Sequence, residues 1–143
     1  MSATPVRVAF MCVQNAGRSQ MSTAFAERER ADRGLETEVE ILTGGTHPAA
    51  HVHEEVVEIM VEEGFDLQDR TPREITTEEL ASCDYVATMG CSTLELDPAA
   101  GVDVRDWALA DPDGQDVERV REIRDEIVAN VHALFDEIEE ELQ

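Results

Sequence analysis

An α/β fold with a mainly parallel sheet is what this chain of 143 residues predicts. Two observations predict it. Short runs of β-formers alternate with segments whose apolar residues recur every three or four positions, and the first such run passes through a tight loop directly into a helical pattern. Strands and helices in that order stack as a three-layer sandwich around a four-stranded sheet. At this length residues 1–143 are expected to be one domain, able to bury a core without staples.

The first strand is Val6-Arg7-Val8-Ala9-Phe10-Met11, ending on Cys12. Val13 to Gly17 form a five-residue loop, and Arg18-Ser19 opens a helix expected from about Arg18 to Asp32. Met21, Ala24 and Phe25, with Arg28 to Ala31, suggest an amphipathic helix, and Gly34 ends it. Thr37 to Thr43 alternates as a second strand, followed by a Gly44-Gly45-Thr46-His47-Pro48 loop. A second helix is expected from roughly Val52 to Glu63, with Val52, Val56, Ile59 and Met60 on one face and Gly64 as its stop. Thr76-Thr77-Glu78-Glu79-Leu80 reads as a short capped helix.

Asp84 to Met89 is the third strand, with Gly90-Cys91-Ser92-Thr93 as the loop leaving it, and Val102 to Arg105 is a short fourth. After Trp107 to Gly114, apolar residues from Val117 to Leu142 recur at helical spacing and make one long helix against the sheet.

In such sheets ligands sit at the carboxyl ends of the strands. Cys12 and Cys91 both follow a strand's carboxyl end, whereas Cys83 precedes its strand and belongs to the opposite edge, as a structural residue. A free cysteine at a strand end is most often a small buried hydrophobe. The order strand, Cys12, five-residue loop, Arg18-Ser19, helix argues for chemistry instead. Loop and helix N–H groups pointing at one spot would hold a tetrahedral oxyanion, and the Arg18 guanidinium would close the ring with two parallel hydrogen bonds. Positive surroundings at a helix N-terminus lower a thiol pKa from about 8.5 to roughly 3.5–7.5, which makes Cys12 a thiolate that the Ser19 hydroxyl can steady. The loop thus binds a phosphate-like anion and aims a nucleophile at its central atom.

Charge bounds the remaining possibilities. The chain carries 33 Asp and Glu against 11 basic residues, a net charge of −22, and every basic residue is arginine. This composition resembles that of cytoplasmic proteins of salt-loving archaea, a halophilic signature. It disfavours nucleic-acid and acidic-membrane binding, and it makes Arg18 and the loop amides the local source of attraction for an anion. No long apolar span and no signal peptide are evident, so a cytoplasmic protein is expected. His47, His51 and His53 lie close together, but no cysteine or acidic ligand pattern completes a metal site, and solvent-exposed histidines are expected.

Through Cys12 to Ser19 the chain resembles the low-molecular-weight protein tyrosine phosphatase family, whose signature is Cys, five residues, Arg, Ser near the N-terminus. Arg18-Ser19-Gln20-Met21 looks like the branch of arsenate reductases that share this fold, since the phosphatases more usually have proline after Arg-Ser. The resemblance makes Val13, Gln14, Asn15, Ala16, Gly17 and Ser19 the substrate-binding loop, with Asn15 as its brace. It also makes Asp111, in Asp111-Pro112, the general acid that protonates the leaving oxygen, although Asp-Pro pairs also cap ordinary turns. The aromatic pair with which the phosphatases grip phosphotyrosine is replaced here by Asp113-Gly114-Gln115-Asp116.

The resemblance therefore implies an arsenate reductase working through a cysteine–arsenic adduct. The alternative is a phosphatase that hydrolyses phosphomonoesters through a phosphocysteine. Reduction needs a resolving thiol. Gapless placement on the thioredoxin-coupled reductases puts Gly90 and Asp97 where their two resolving cysteines would be. Either Cys91 resolves Cys12 after a shift of register or a small thiol does so. No bound cofactor is expected, only an external thiol reductant: thioredoxin, a glutaredoxin-like protein or a small thiol.

Overall fold

The computed structural model describes residues 5–12, 15–45, 47–89, 102–107, 109 and 114–142. β1 (Val6–Cys12) is followed by α1 (Arg18–Asp32), β2 (Val39–Gly45), α2 (Glu54–Val61), α3 (Thr77–Ala81), β3 (Tyr85–Thr88), β4 (Asp103–Asp106) and α4 (Val117–Leu142). The four strands are all parallel, in the order β2-β1-β3-β4. β1 has a neighbour on each side, which is why it reads as a near-continuous apolar run and is fully buried from Val8 onward.

Its alternating side chains divide the interior in two. Val8, Phe10 and Cys12 face a larger core built with α1, α2 and α4, through Phe25, Val56, Ile127 and Phe135 among others. Ala9 and Met11 face a smaller core with Ile75, Leu80, Cys83 and Val86, covered by α3 and the segment before it. These are the three expected layers. From β1 the chain crosses to β2 on one side and then to β3 on the other, so strand order reverses at the carboxyl end of β1, where Cys12 stands.

Several boundaries differ from the sequence expectation. β2 starts two residues later, after a turn over residues 36–38, and runs on through Gly44 and Gly45, which were expected to be loop. They stay in the strand because β1 pairs with them (Met11 with Gly44, Cys12 with Gly45) and because residues 73–75 cross them closely. Gly45 N–H donates to the Arg73 carbonyl (2.9 Å) and the Ile75 N–H to the Gly45 carbonyl (3.2 Å). A Cβ on Gly44 would lie 2.4 Å from the Ile75 Cβ. β3 and β4 shift their ends by one residue.

α2 is shorter than expected because His53 still has extended backbone (ψ 137°), and because Gly64, at φ 85°, turns the chain back so that the Phe65 N–H reaches the Met60 carbonyl (3.0 Å). α1 is not amphipathic across its width. Its residues from Arg18 to Ala26 are buried all round while its last turns reach solvent, so polarity runs along the axis, from the site outward. The α3 cap is as expected: the Thr76 hydroxyl accepts the Glu79 N–H (3.1 Å) and the Glu79 carboxylate accepts the Thr76 N–H (3.1 Å). No helix among the described residues is long and apolar enough to cross a membrane.

Candidate active site

Cys12, 3% exposed, ends β1 directly before the loop and offers its sulfur there. Two groups converge on it: the Asn15 N–H donates at 3.2 Å, and the Ser19 hydroxyl lies at 3.0 Å. The Ser19 oxygen also accepts the Asn15 amide at 2.7 Å, which leaves its own hydrogen available to the sulfur. Toward a thiolate, which can only accept, Ser19 is the donor. The amide's orientation is fixed in turn, because its Oδ1 accepts the Arg73 backbone N–H (3.0 Å), a group that can only donate.

Asn15 is thus the hub of a brace. Its Nδ2 also donates to Thr43 Oγ1 (2.9 Å), and that hydroxyl donates to the Phe10 carbonyl (3.2 Å). Gln20 donates to the Asn15 carbonyl (3.0 Å) and to Oδ1 (3.1 Å). Asn15 holds a left-handed backbone (φ 51°), which asparagine tolerates better than most residues and which lets one side chain reach both β2 and α1. Behind it, Ala16 accepts the His53 N–H through its carbonyl (2.9 Å), and Gly17 opens α1. Among the described residues α1 has no capping side chain, and its first turn has no acidic residue. The partial positive charge of such a helix end favours a nearby anion.

Arg18 is 8% exposed, and its Nη1 donates to the carbonyls of Met89 (2.8 Å) and Leu109 (3.0 Å). Those acceptors lie just beyond β3 and β4, so the guanidinium ties the carboxyl ends of three strands to the loop. Its planar fork is oriented by these bonds.

The family model for low-molecular-weight phosphotyrosine protein phosphatases matches residues 7–143. The chain belongs to this family. Its similarity to a Halobacterium salinarum protein described as a candidate arsenate reductase is 74% identity over 138 residues, covering 96% of each chain. The Synechocystis glutaredoxin arsenate reductase is 30% identical over 135 residues, 92% of this chain and 98% of the relative. Among solved structures, the thioredoxin-dependent arsenate reductase of Corynebacterium glutamicum superposes with a TM-score of 0.77 at 34% identity. That match covers 96% of this chain and 64% of that one.

In this low-molecular-weight phosphatase fold, Cys12, Asn15, Ala16, Gly17, Arg18 and Ser19 are gathered at one strand end. Val13, Gln14, Cys91 and Asp111 lie outside the described residues. Cys83 is where expected, at the opposite edge of the sheet, donating to the Glu79 carbonyl (3.3 Å), and burial pushes its thiol pKa up. His47 and His51 are exposed, whereas His53 is half-buried, because its backbone is pinned to Ala16. The sequence reading missed Thr43 and Arg73. Neither belongs to the motif: the pairing of β1 with β2 brings Thr43 to Asn15, and the parallel bridge of residues 73–75 to the end of β2 brings Arg73.

Proposed function

We infer that this protein is an arsenate reductase and that Cys12 is its nucleophile. The observation that carries the reading is the pair of hydrogen bonds directed at the Cys12 sulfur from Ser19 and the Asn15 N–H, at the mouth of an uncapped helix. Donors of this kind favour the charged form of the acceptor, here the thiolate. Two relatives that match nearly the full chain are named as arsenate reductases, which supports arsenate over a phosphoester.

The thiolate attacks arsenic in arsenate, forming a sulfur–arsenic bond, while one oxygen leaves as water with a proton from an acid, the role we assign to Asp111. Arg18, the loop amides and the α1 N-terminus hold the other oxygens. A second thiolate then attacks the Cys12 sulfur. The pair of electrons in the sulfur–arsenic bond stays with arsenic, arsenite departs, and a disulfide remains. Cys91 or an external thiol supplies that second sulfur. The disulfide is cleared by a thiol-redox partner. Relatives named for thioredoxin and for glutaredoxin support a dithiol protein in this role.

Single turnover with arsenate in high salt, followed by thiol counting and peptide mapping, tests this. Wild type should yield arsenite and a Cys12 disulfide, and Cys12→Ser should yield neither. A Cys12–Cys91 bridge lost in Cys91→Ala places the resolving thiol inside the chain, whereas a mixed disulfide with added thiol places it outside. Hydrolysis of p-nitrophenyl phosphate with no arsenite formed would establish a phosphatase instead.

A further inference from the structure

Arg73 grips the Asn15 brace at both ends. Its backbone N–H donates to Asn15 Oδ1 (3.0 Å), and its guanidinium Nη1 donates to the carbonyl of Thr43 (2.9 Å), whose hydroxyl takes the other end of the same amide (2.9 Å). The Arg73 carbonyl is held as well, by the Gly45 N–H at 2.9 Å. The second arm of the guanidinium, Nη2, donates to Glu79 Oε2 (2.8 Å). Glu79 is itself fixed, because its other oxygen closes the capping box on Thr76.

We propose that Arg73, anchored by Glu79, is a positioning residue that sets the reactivity of Cys12 by locking Thr43 and Asn15 into one orientation. The chain of cause is short. With Thr43 and Oδ1 both held, the amide presents its Nδ2 to Ser19 Oγ and keeps that hydroxyl beside the sulfur, where it donates to the thiolate. Without the guanidinium, the Thr43 carbonyl and Glu79 lose their shared donor, the segment that carries the Arg73 N–H is held less firmly, and the amide is less tightly oriented. Ser19 then spends part of its time turned from the sulfur, and the thiolate is less stabilised. The proposal rests on Cys12 being the nucleophile, but not on arsenate being the substrate.

The test is the pH dependence of Cys12 alkylation by iodoacetamide, read by mass spectrometry on the Cys12 peptide, with arsenate turnover measured alongside. Arg73→Ala keeps the backbone N–H and removes the guanidinium. Its alkylation midpoint should rise by about half a unit or more, with kcat falling about threefold or more and KM little changed. Arg73→Lys reaches only one of the two acceptors and should restore part of the shift. Glu79→Gln, which leaves Arg73 in place, should shift the midpoint in the same direction by less, and provides the measurement if Arg73→Ala does not fold.

Arg121→Ala removes an ion pair of similar exposure, to Glu62, and should leave the midpoint where it is. An unchanged midpoint in both Arg73→Ala and Glu79→Gln overturns the proposal. Failure of the wild type to reduce arsenate while this shift persists would overturn the proposed function and leave the role of Arg73 standing.

Discussion

The Ser19 hydroxyl lies 3.0 Å from the Cys12 sulfur while its oxygen accepts the Asn15 amide, and toward a thiolate it is the donor. Ser19→Ala removes the donor and leaves the brace otherwise in place. A hydrogen bond to a charged group is worth about 1.5–3 kcal/mol, so turnover should fall roughly ten- to a hundredfold. The alkylation midpoint of Cys12 should rise with it; a slow variant with an unmoved midpoint would mean that Ser19 only packs. The contact of Ser19 with Cys12 was legible in the sequence because the cysteine, the loop, the arginine and the hydroxyl fall within eight consecutive residues. The brace was not. Asn15 meets Thr43 at a separation of 28 residues and Arg73 at 58, and no local pattern records contacts made only by tertiary folding.

At the scale of elements, the crossing of β2 by residues 73–75 does for the site what no single side chain could. Gly44 is its condition, since the Ile75 Cβ would be 2.4 Å from any Cβ placed there. Gly44→Ala must push that segment away, at a cost of about 1–3 kcal/mol of stability. It should also cut turnover, because the displaced segment carries the Arg73 N–H. Ile75→Ala should not rescue it, since alanine keeps the offending Cβ; a double variant as active and stable as wild type would show that the strands relax around the clash. In the sequence the two glycines looked like loop, because what Gly44 makes room for is the Ile75 side chain, 31 residues away. α1 misled for a similar reason: its first turns are enclosed by the site and by the cores of other elements, where the Ser22 and Thr23 hydroxyls donate back to the Arg18 and Ser19 carbonyls (2.8 and 2.7 Å).

Helix-to-helix fastening has its own test. Glu62, at the end of α2, accepts Arg121 (2.6 Å) and Arg124 (3.0 Å) from α4, and these hydrogen bonds bring its pKa from 4.5 to about 2. A carboxylate held low in the fold contributes stability that is present above about 4.5 and disappears as pH falls towards 2. Glu62→Gln should therefore be less stable than wild type at neutral pH, with the two urea midpoints converging as pH approaches 2. A constant gap across that window would show that the loss is one of packing and not of charge.

Over the whole molecule, arginines act as ties between elements in a strongly negative field. Arg33 joins α1 to Asp136 and Glu139 of α4, Arg105 joins β4 to Glu137, and Arg70 reaches Glu27. Each exposed tie is worth little alone. The net charge of −22 works against the compact fold through self-repulsion, and against the approach of an anionic substrate. Raising salt from about 0.1 M to about 1 M shortens the screening length from about 10 Å to about 3 Å, which weakens long-range repulsion far more than contacts at hydrogen-bond distance. The thermal midpoint should rise over that range. kcat/KM for arsenate should rise too, the reverse of an enzyme whose overall field attracts its substrate. Buried contacts at the Arg18 site are screened least, so the gain should appear in capture of the anion and not in the single-turnover rate at saturating arsenate. If kcat/KM fell steadily with salt, the local positive charge of Arg18 and the α1 N-terminus would have to outweigh the surface at long range. The acidic exterior would then have no part in setting how arsenate reaches Cys12.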